Sequence, residues 1–299
     1  MGEPTLRLAL PKGSIQEATL SLLAKAGFRF AVSSRSYTAQ CDDPEIDAKL
    51  LRAQEIAKYV EQGVFDAGIT GEDWVMENGA DVVTVASIPY SKATRNPVRW
   101  VLAVAKDSEI HRVEDLAGKR IATEAVNMAN RFLAERGIRA QVEFSWGATE
   151  IKVPDLVDAI LEITETGSSL KANNLRILPV DDTGRDYVVK SYPVIIANRN
   201  GWNVPWIRDK IETLAMLMSG AIEAQGKVGL KMNLPEASLA KVSGQIRGME
   251  SPTVSKLAET GWVAIEVILD ESEVRRIIPA LKQAGAKDII EYPLNKVIP

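Results

Sequence analysis

Residues 158–174 read DAILEITETGSSLKANN, and the order of residue types in this stretch decides how the chain is parsed. Ala159, Ile160 and Leu161 form an apolar run with β-branched Ile163 and Thr164 close behind, the composition of a strand. The chain then turns through Glu165, Thr166, Gly167, Ser168 and Ser169 into Leu170-Lys171-Ala172-Asn173-Asn174, which opens a helix. Strand, glycine turn and helix in that order form a repeating unit of an α/β fold. The turn gathers backbone N–H groups, hydroxyls and a helix start in one small volume, an environment that suits a phosphate. Glu162 and Glu165 would repel a bare phosphate; they fit a ligand that brings a divalent metal, or ribose hydroxyls in need of acceptors. On this segment alone, a plain strand-to-helix connection remains the alternative.

The same grammar runs upstream. Residues 5–10 read as a strand and 15–26 as a helix, with Ile15, Ala18, Leu22, Leu23 and Ala26 at helical spacing and Gly27 as its stop. Residues 48–51 follow as a strand, 55–62 as a helix, 65–69 as a strand, and Thr70-Gly71-Glu72-Asp73-Trp74 as a turn into the next helix before a strand at 82–86. A second set starts near Val98, with strands at 98–105, 120–123 and 142–144 and a helix at 127–137. Residues 187–197 predict one long strand, and 205–225 a helix that returns the chain to the first lobe. The expectation is a two-lobe α/β fold of the type II periplasmic-binding-protein kind, with residues 1–95 and 185–224 in lobe I and 96–184 in lobe II. In such a fold the ligand sits in the interlobe cleft.

Near residue 225 the pattern changes. Strand 228–234, helix 235–242, a turn and strand region at 248–255, strand 262–269, helix 271–284 and strand 287–292 spell βαββαβ, a ferredoxin-like domain over 225–299. The helix shows Val274, Ile277, Ile278 and Leu281 on one stripe and stops at Gly285.

Composition narrows the chemistry. The chain has 299 residues with a formal net charge of −4, which argues against a general nucleic-acid binder. Cys41 is the single cysteine, so no intrachain disulfide forms and a cysteine zinc site is disfavoured. His111 is the single histidine and lies in the polar run DSEIHRVEDL, which removes Ser-His-Asp chemistry and histidine metal clusters. Any catalysis therefore rests on positioning, charge and metal. No apolar run is long enough to span a bilayer and the N-terminus lacks the pattern of a secretory signal, so the expected location is cytoplasmic.

Several residues fall where strands should meet a cleft. Lys12, in LPKGS after the first strand, is placed to reach a phosphate, with Gly13 permitting close backbone approach; a tight turn capped by Ser14 reads equally well. Asp73 could accept from an amino group or hydroxyl, or stabilise its own helix start. Arg52 follows a strand, and Arg95 and Arg99 flank the crossing between lobes. Glu150 points into the cleft or sits in a first helical turn; spacing does not choose.

Taken together, LPKG, LRAQEIAKYVEQGVFDAGITGEDW, RIATEAVN and DAILEITETGSSLKANNL resemble the long form of the ATP phosphoribosyltransferase family. GMESPTVSKL, WVAIEV and GAKDIIEYPLNKVI resemble its C-terminal regulatory domain, so the resemblance spans essentially the whole chain. It implies a reaction in which adenine N1 of ATP attacks the anomeric carbon of phosphoribosyl pyrophosphate and magnesium-bound pyrophosphate leaves, with magnesium as cofactor.

The resemblance also implies roles. Glu165, Thr166, Gly167, Ser168 and Ser169 would cradle the ribose 5-phosphate, and Glu162 would take a ribose-facing position where aspartate is usual. Lys12 and Arg52 would face pyrophosphate or ATP phosphates, with Arg52, Asp73 and Glu150 as catalytic residues and Lys12, Asp73 and Arg99 toward ATP. Ala125-Val126 stand where several relatives carry Tyr-Pro, so stacking of the base at that position is not expected. Asn233, Ser251 and Thr253 would belong to a site for histidine as feedback inhibitor, with asparagine at 233 where many relatives have aspartate. Inhibition would act through a homo-oligomer in dimer and hexamer forms. The alternative from the residues alone is a non-enzymatic solute-binding or sensor protein of the same two-lobe architecture.

Overall fold

The computed structural model describes residues 4–33, 37–90, 96–244, 246 and 252–298. By compactness the chain forms two units, one holding residues 1–24 and 28–215 and the other residues 25–27 and 216–299.

The first unit contains two sheets. Strands β1 (Leu6–Lys12), β2 (Phe30–Val32), β3 (Thr38–Cys41), β4 (Ile46–Arg52), β5 (Ala67–Gly71) and β6 (Val83–Ser87) belong to the first. The second holds β7 (Val98–Ala105), β8 (Arg120–Thr123), β9 (Gln141–Phe144), β10 (Ala159–Thr164), β11 (Leu175–Ile177) and β12 (Val189–Ser191). Strand β13 (Pro193–Ala197) returns to the first sheet, whose order is β2-β3-β4-β1-β5-β13-β6. The second sheet runs β11-β7-β10-β8-β9, with β12 also on β7. Both sheets share one plan. Parallel strands (β4, β1 and β5; β9, β8 and β10) are followed by one antiparallel strand, β13 or β7, that arrives from the other lobe. This is the two-lobe, doubly crossed-over α/β architecture expected from the pattern.

Local chemistry explains the elements. In β1, Leu8, Ala9 and Leu10 are all fully buried, because a central parallel strand is covered on both faces. Helix α1 (Gln16–Ala26) follows β1 and α2 (Ala53–Glu61) follows β4. Ile56, Ala57 and Val60 put one stripe of α2 into the core. Helix α3 (Glu72–Asn78) follows β5 and ends on Gly79, α4 (Val126–Ala134) follows β8, and α5 (Ser168–Ala172) follows β10.

The expected single strand at 187–197 is two strands in two sheets. Residues 189–191 pair with β7 and 193–197 with β5 and β6, so the chain changes sheets at Tyr192. Pro193, without an N–H to give, begins the new strand, where a proline is tolerated. Strands β2 and β3, which carry no strong apolar alternation, add an edge that periodicity does not predict. Helices α6 (Arg199–Trp202) and α7 (Pro205–Glu223) follow β13.

The second unit is the βαββαβ domain: β14 (Lys227–Pro235), α8 (Leu239–Ser243), β15 (Thr253–Lys256), β16 (Trp262–Asp270), α9 (Glu271–Gln283) and β17 (Lys287–Pro293). Its sheet is antiparallel in the order β15-β16-β14-β17, the ferredoxin-like arrangement. Val228, Leu230, Met232 and Leu234 alternate inward with Val263, Ile265, Val267 and Leu269, and Val274, Ile277 and Leu281 of α9 close the same core. One covered face and one open face is what alternation demands.

Candidate active site

Parallel strands in an α/β sheet deliver their carboxyl ends to one edge, and ligands bind there. A cleft of about 690 Å³ lies at that edge of both sheets. From the first sheet come Lys12 at the end of β1, Arg52 at the end of β4, and Gly71 and Asp73 at the end of β5. From the second come Glu124 after β8 and Glu165, Thr166, Ser168 and Ser169 after β10. Ser191, Tyr192 and Pro193, where the chain crosses between sheets, also face it.

The turn after β10 has the anticipated form. Gly167 adopts a left-handed conformation (φ 75°) as the residue preceding α5, a conformation costly for most side chains. Its N–H donates to the Thr164 hydroxyl at 2.8 Å, and the Thr166 hydroxyl donates to Ser168 Oγ at 3.0 Å. The Gly167 amide is thus spent within the turn. Helix α5 is only five residues long, so its dipole is a minor contributor.

On the opposite lobe, Lys12 Nζ sits 3.7 Å from the centroid of the Tyr37 ring, a cation–π contact that steers the ammonium. Gly13 has φ 119°, and a β-carbon there would stand 3.4 Å from the Arg52 guanidinium, so glycine keeps Arg52 its room. Two cations therefore face a hydroxyl-rich turn across one cleft.

Asp73 lines the same cleft but is only 1 % exposed. Its Oδ2 accepts from the Trp100 indole at 2.7 Å, and its Oδ1 accepts from the Ser191 hydroxyl at 2.9 Å and the Trp74 N–H at 3.0 Å. Burial pushes its carboxyl above the ordinary range, while the Trp100 and Ser191 bonds pull it back. Glu162, half-buried on β10, does not line the cleft; it accepts from its neighbour Ile163 N–H at 3.0 Å and from the Thr149 hydroxyl. Burial raises its carboxyl, and the nearby charges of Glu150 and Glu124 raise it further. Glu150 occupies the single turn Thr149–Lys152 and does not line the cleft; its charge acts on Glu162. Arg99 lies on β7, beside Thr164 in register, and pairs with Asp186 rather than lining the cleft. Arg95 lies outside the described residues.

In the second unit, Asn233 on β14 donates from Nδ2 to Asp288 Oδ2 at 2.9 Å. Thr253 begins β15 and is exposed; Ser251 lies outside the described residues. Residues that pattern reading did not single out also enter the site. Gln54 donates to Glu124 at 3.2 Å, tying α2 of one lobe to the end of β8 in the other, and Tyr37 seats Lys12. Glu124 stood in a quoted motif, and its position at a strand terminus was the available signal. Among the described residues, no group of three or more His, Cys, Asp or Glu is disposed to hold a metal.

Comparison with known proteins now separates an enzyme from a solute-binding protein of similar shape. The family model described as ATP phosphoribosyltransferase matches residues 52–220, and the one described as the HisG C-terminal domain matches residues 224–296. The chain belongs to the ATP phosphoribosyltransferase family. The ATP phosphoribosyltransferase of Prosthecochloris aestuarii is 58% identical over 98% of this chain and 97% of its own length. That of Pelotomaculum thermopropionicum is 55% identical over 98% of this chain and 99% of its own. A chain of the solved ATP phosphoribosyl transferase (HisG:HisZ) complex from Thermotoga maritima aligns with TM-score 0.58 at 27% identity, covering 72% of this chain and 98% of that one. As a member of the ATP phosphoribosyltransferase family the protein is a glycosyltransferase-type enzyme of histidine biosynthesis, of the long form with a C-terminal domain.

Proposed function

We propose that the cleft binds phosphoribosyl pyrophosphate and ATP together and joins adenine N1 to the anomeric carbon as pyrophosphate departs. The observation that carries this is the opposition of Lys12 and Arg52 to the Glu165–Thr166–Ser168–Ser169 turn across one 690 Å³ space. The turn takes the 5-phosphate, and the cations neutralise the leaving pyrophosphate. Adenine N1 already holds a lone pair and the ribose gains oxocarbenium character, so charge stabilisation matters more than a strong base. A chain with one histidine can do this.

Magnesium would be held on the diphosphate oxygens of the substrate. An ion that keeps waters and takes phosphate oxygens needs few protein ligands. Glu165 is the cradle carboxylate that would hold it, and the ion would supply charge to the leaving group. Glu162 and Glu150 support the ribose side of the turn from beside the cleft.

The C-terminal domain is the reading's regulatory part: histidine inhibits from a site that includes Asn233, Ser251 and Thr253, and inhibition runs through a homo-oligomer. The enzyme works in the cytoplasm, beside its ATP. Among the described residues no helix is long and apolar enough to cross a membrane.

The test is direct incubation of the protein with ATP, phosphoribosyl pyrophosphate and magnesium, following absorbance of the N1-substituted adenine and release of pyrophosphate. Formation of both products in equal amounts is expected. Absence of product alongside tight binding of an unrelated solute would sink the reading.

A further inference from the structure

The three parallel strands β10, β8 and β9 lie side by side and release the chain at the same edge of the second sheet. The first delivers the hydroxyl turn, the second Glu124, and the third the loop Ser145-Trp146-Gly147-Ala148. Trp146 is 89% exposed, far beyond what an indole gains by facing water. Its neighbour Phe144 meets it nearly perpendicular, with centroids 4.8 Å apart and planes at 86°, a contact that covers at most one face of the indole.

The loop is rigidly rooted. Ser145, 1% exposed, donates its N–H to Thr123 at 2.9 Å, and its hydroxyl accepts from Lys152 Nζ at 2.6 Å. Ala148 is held in the left-handed region at φ 47°, a strain that surrounding structure must support and that clusters at ligand sites. A β-carbon on Gly147 would stand 3.7 Å from Glu124 Oε1, so the loop abuts a carboxylate that lines the cleft. Two strand spacings, about 10 Å, separate the β9 loop from the hydroxyl turn. That span suits a purine joined at the anomeric carbon of a ribose whose 5-phosphate rests in the turn. The aromatic rings that line the cleft are less available: Trp74 is 8% and Tyr90 4% exposed, and Tyr192 is half-buried at the sheet crossing, whereas Trp146 stands outside that lining on the loop that abuts Glu124.

We propose that Trp146 is the stacking platform for the adenine ring of the nucleotide substrate, and that Glu124 accepts from the exocyclic amino group. This rests on the reading of the cleft above and adds the residues that select the base. Stacking supplies affinity for any purine, while the Glu124 carboxylate rewards an amino group and repels a carbonyl oxygen at the same ring position.

The experiment uses the full-length protein with ATP, phosphoribosyl pyrophosphate and magnesium. If the unaltered protein forms no product, the reading of the cleft falls. If it turns over, Trp146→Ala should raise KM for ATP about tenfold or more while KM for phosphoribosyl pyrophosphate stays put, and Trp146→Phe should restore most of the loss. ATP should quench the tryptophan emission of the unaltered enzyme, and much of that quench should vanish in Trp146→Phe. Glu124→Gln should lower the binding preference for ATP over inosine triphosphate about tenfold, since the amide can donate to the carbonyl. An unchanged KM for ATP in Trp146→Ala overturns the platform, as does the same KM shift in Tyr192→Leu, which would place the base elsewhere. A changed sedimentation coefficient for Trp146→Ala also overturns it, marking the ring as a subunit contact. An unchanged nucleotide preference in Glu124→Gln overturns the second contact.

Discussion

The indole of Trp100 on β7 donates to the carboxylate of Asp73 on α3 at 2.7 Å, joining the second sheet to a helix of the first beneath the cleft. Trp100 also meets Trp74 edge to face, with centroids 5.6 Å apart and planes at 89°. Ser191, on the strand that leads back out of the second sheet, donates to the same carboxylate. Asp73 therefore works as a joint between lobes as much as a wall of the cleft.

Trp100→Phe takes the donor from a buried carboxylate oxygen and puts a smaller ring in a fully buried site. It should cost about 1–3 kcal/mol of unfolding free energy, read from urea titration. Asp73→Asn should cost a similar amount, since its NH2 group must meet either the indole N–H or the Trp74 N–H donor to donor.

Asp73 also predicts a pH dependence. Its folded pKa lies above the unfolded value, so the native state holds the proton more tightly. That contribution is present below the unfolded carboxylate range near about pH 4 and is lost as pH rises through the folded value. Urea titrations of the unaltered protein and Asp73→Asn across that interval should diverge with this slope, the unaltered protein losing stability relative to the variant as pH rises. Parallel curves would contradict the assignment.

Gly167→Asp places a charge in the hydroxyl turn at a left-handed position that aspartate adopts more readily than most residues. The fold should persist by circular dichroism while binding of phosphoribosyl pyrophosphate, measured by calorimetry, is lost. Unchanged affinity would remove the turn from the site.

Glu162 carries a carboxyl raised by burial and by Glu150 and Glu124. If its ionised form supports the ribose side, KM for phosphoribosyl pyrophosphate should fall as pH rises through a window displaced above the usual carboxylate value of about 4.3. In Glu162→Gln this limb should disappear. Steady-state kinetics from about pH 5 to pH 8 at constant ionic strength make the comparison.

Asn233 pairs with Asp288 in the C-terminal domain. Asn233→Ala frees Asp288 and removes one polar group from the expected effector site. The histidine concentration for half-inhibition should rise about tenfold, with KM for both substrates unchanged. Equal inhibition in the variant would move the effector site away from β14.

The succession of strands and helices, the hydroxyl turn at 165–169 and the βαββαβ ending were legible in the sequence because each depends on neighbours within a few residues. Apolar spacing sets which face of a helix or strand turns inward, and glycine at 167 marks a backbone conformation that most residues resist. Side-chain partnership obeys a longer rule. Asp73 is claimed by Trp100 and by Ser191, 118 residues away; Arg99 goes to Asp186, and Glu162 lies beside the cleft rather than in it. Glu124, Tyr37 and Trp146 gain their positions only when separate strands end at one edge. The sequence by itself determined the turn and most of the elements, though not the β2–β3 edge or the change of sheet at Tyr192. The tertiary structure decided which charges face the cleft, because strand register and sheet crossing set distances between residues that the chain keeps far apart.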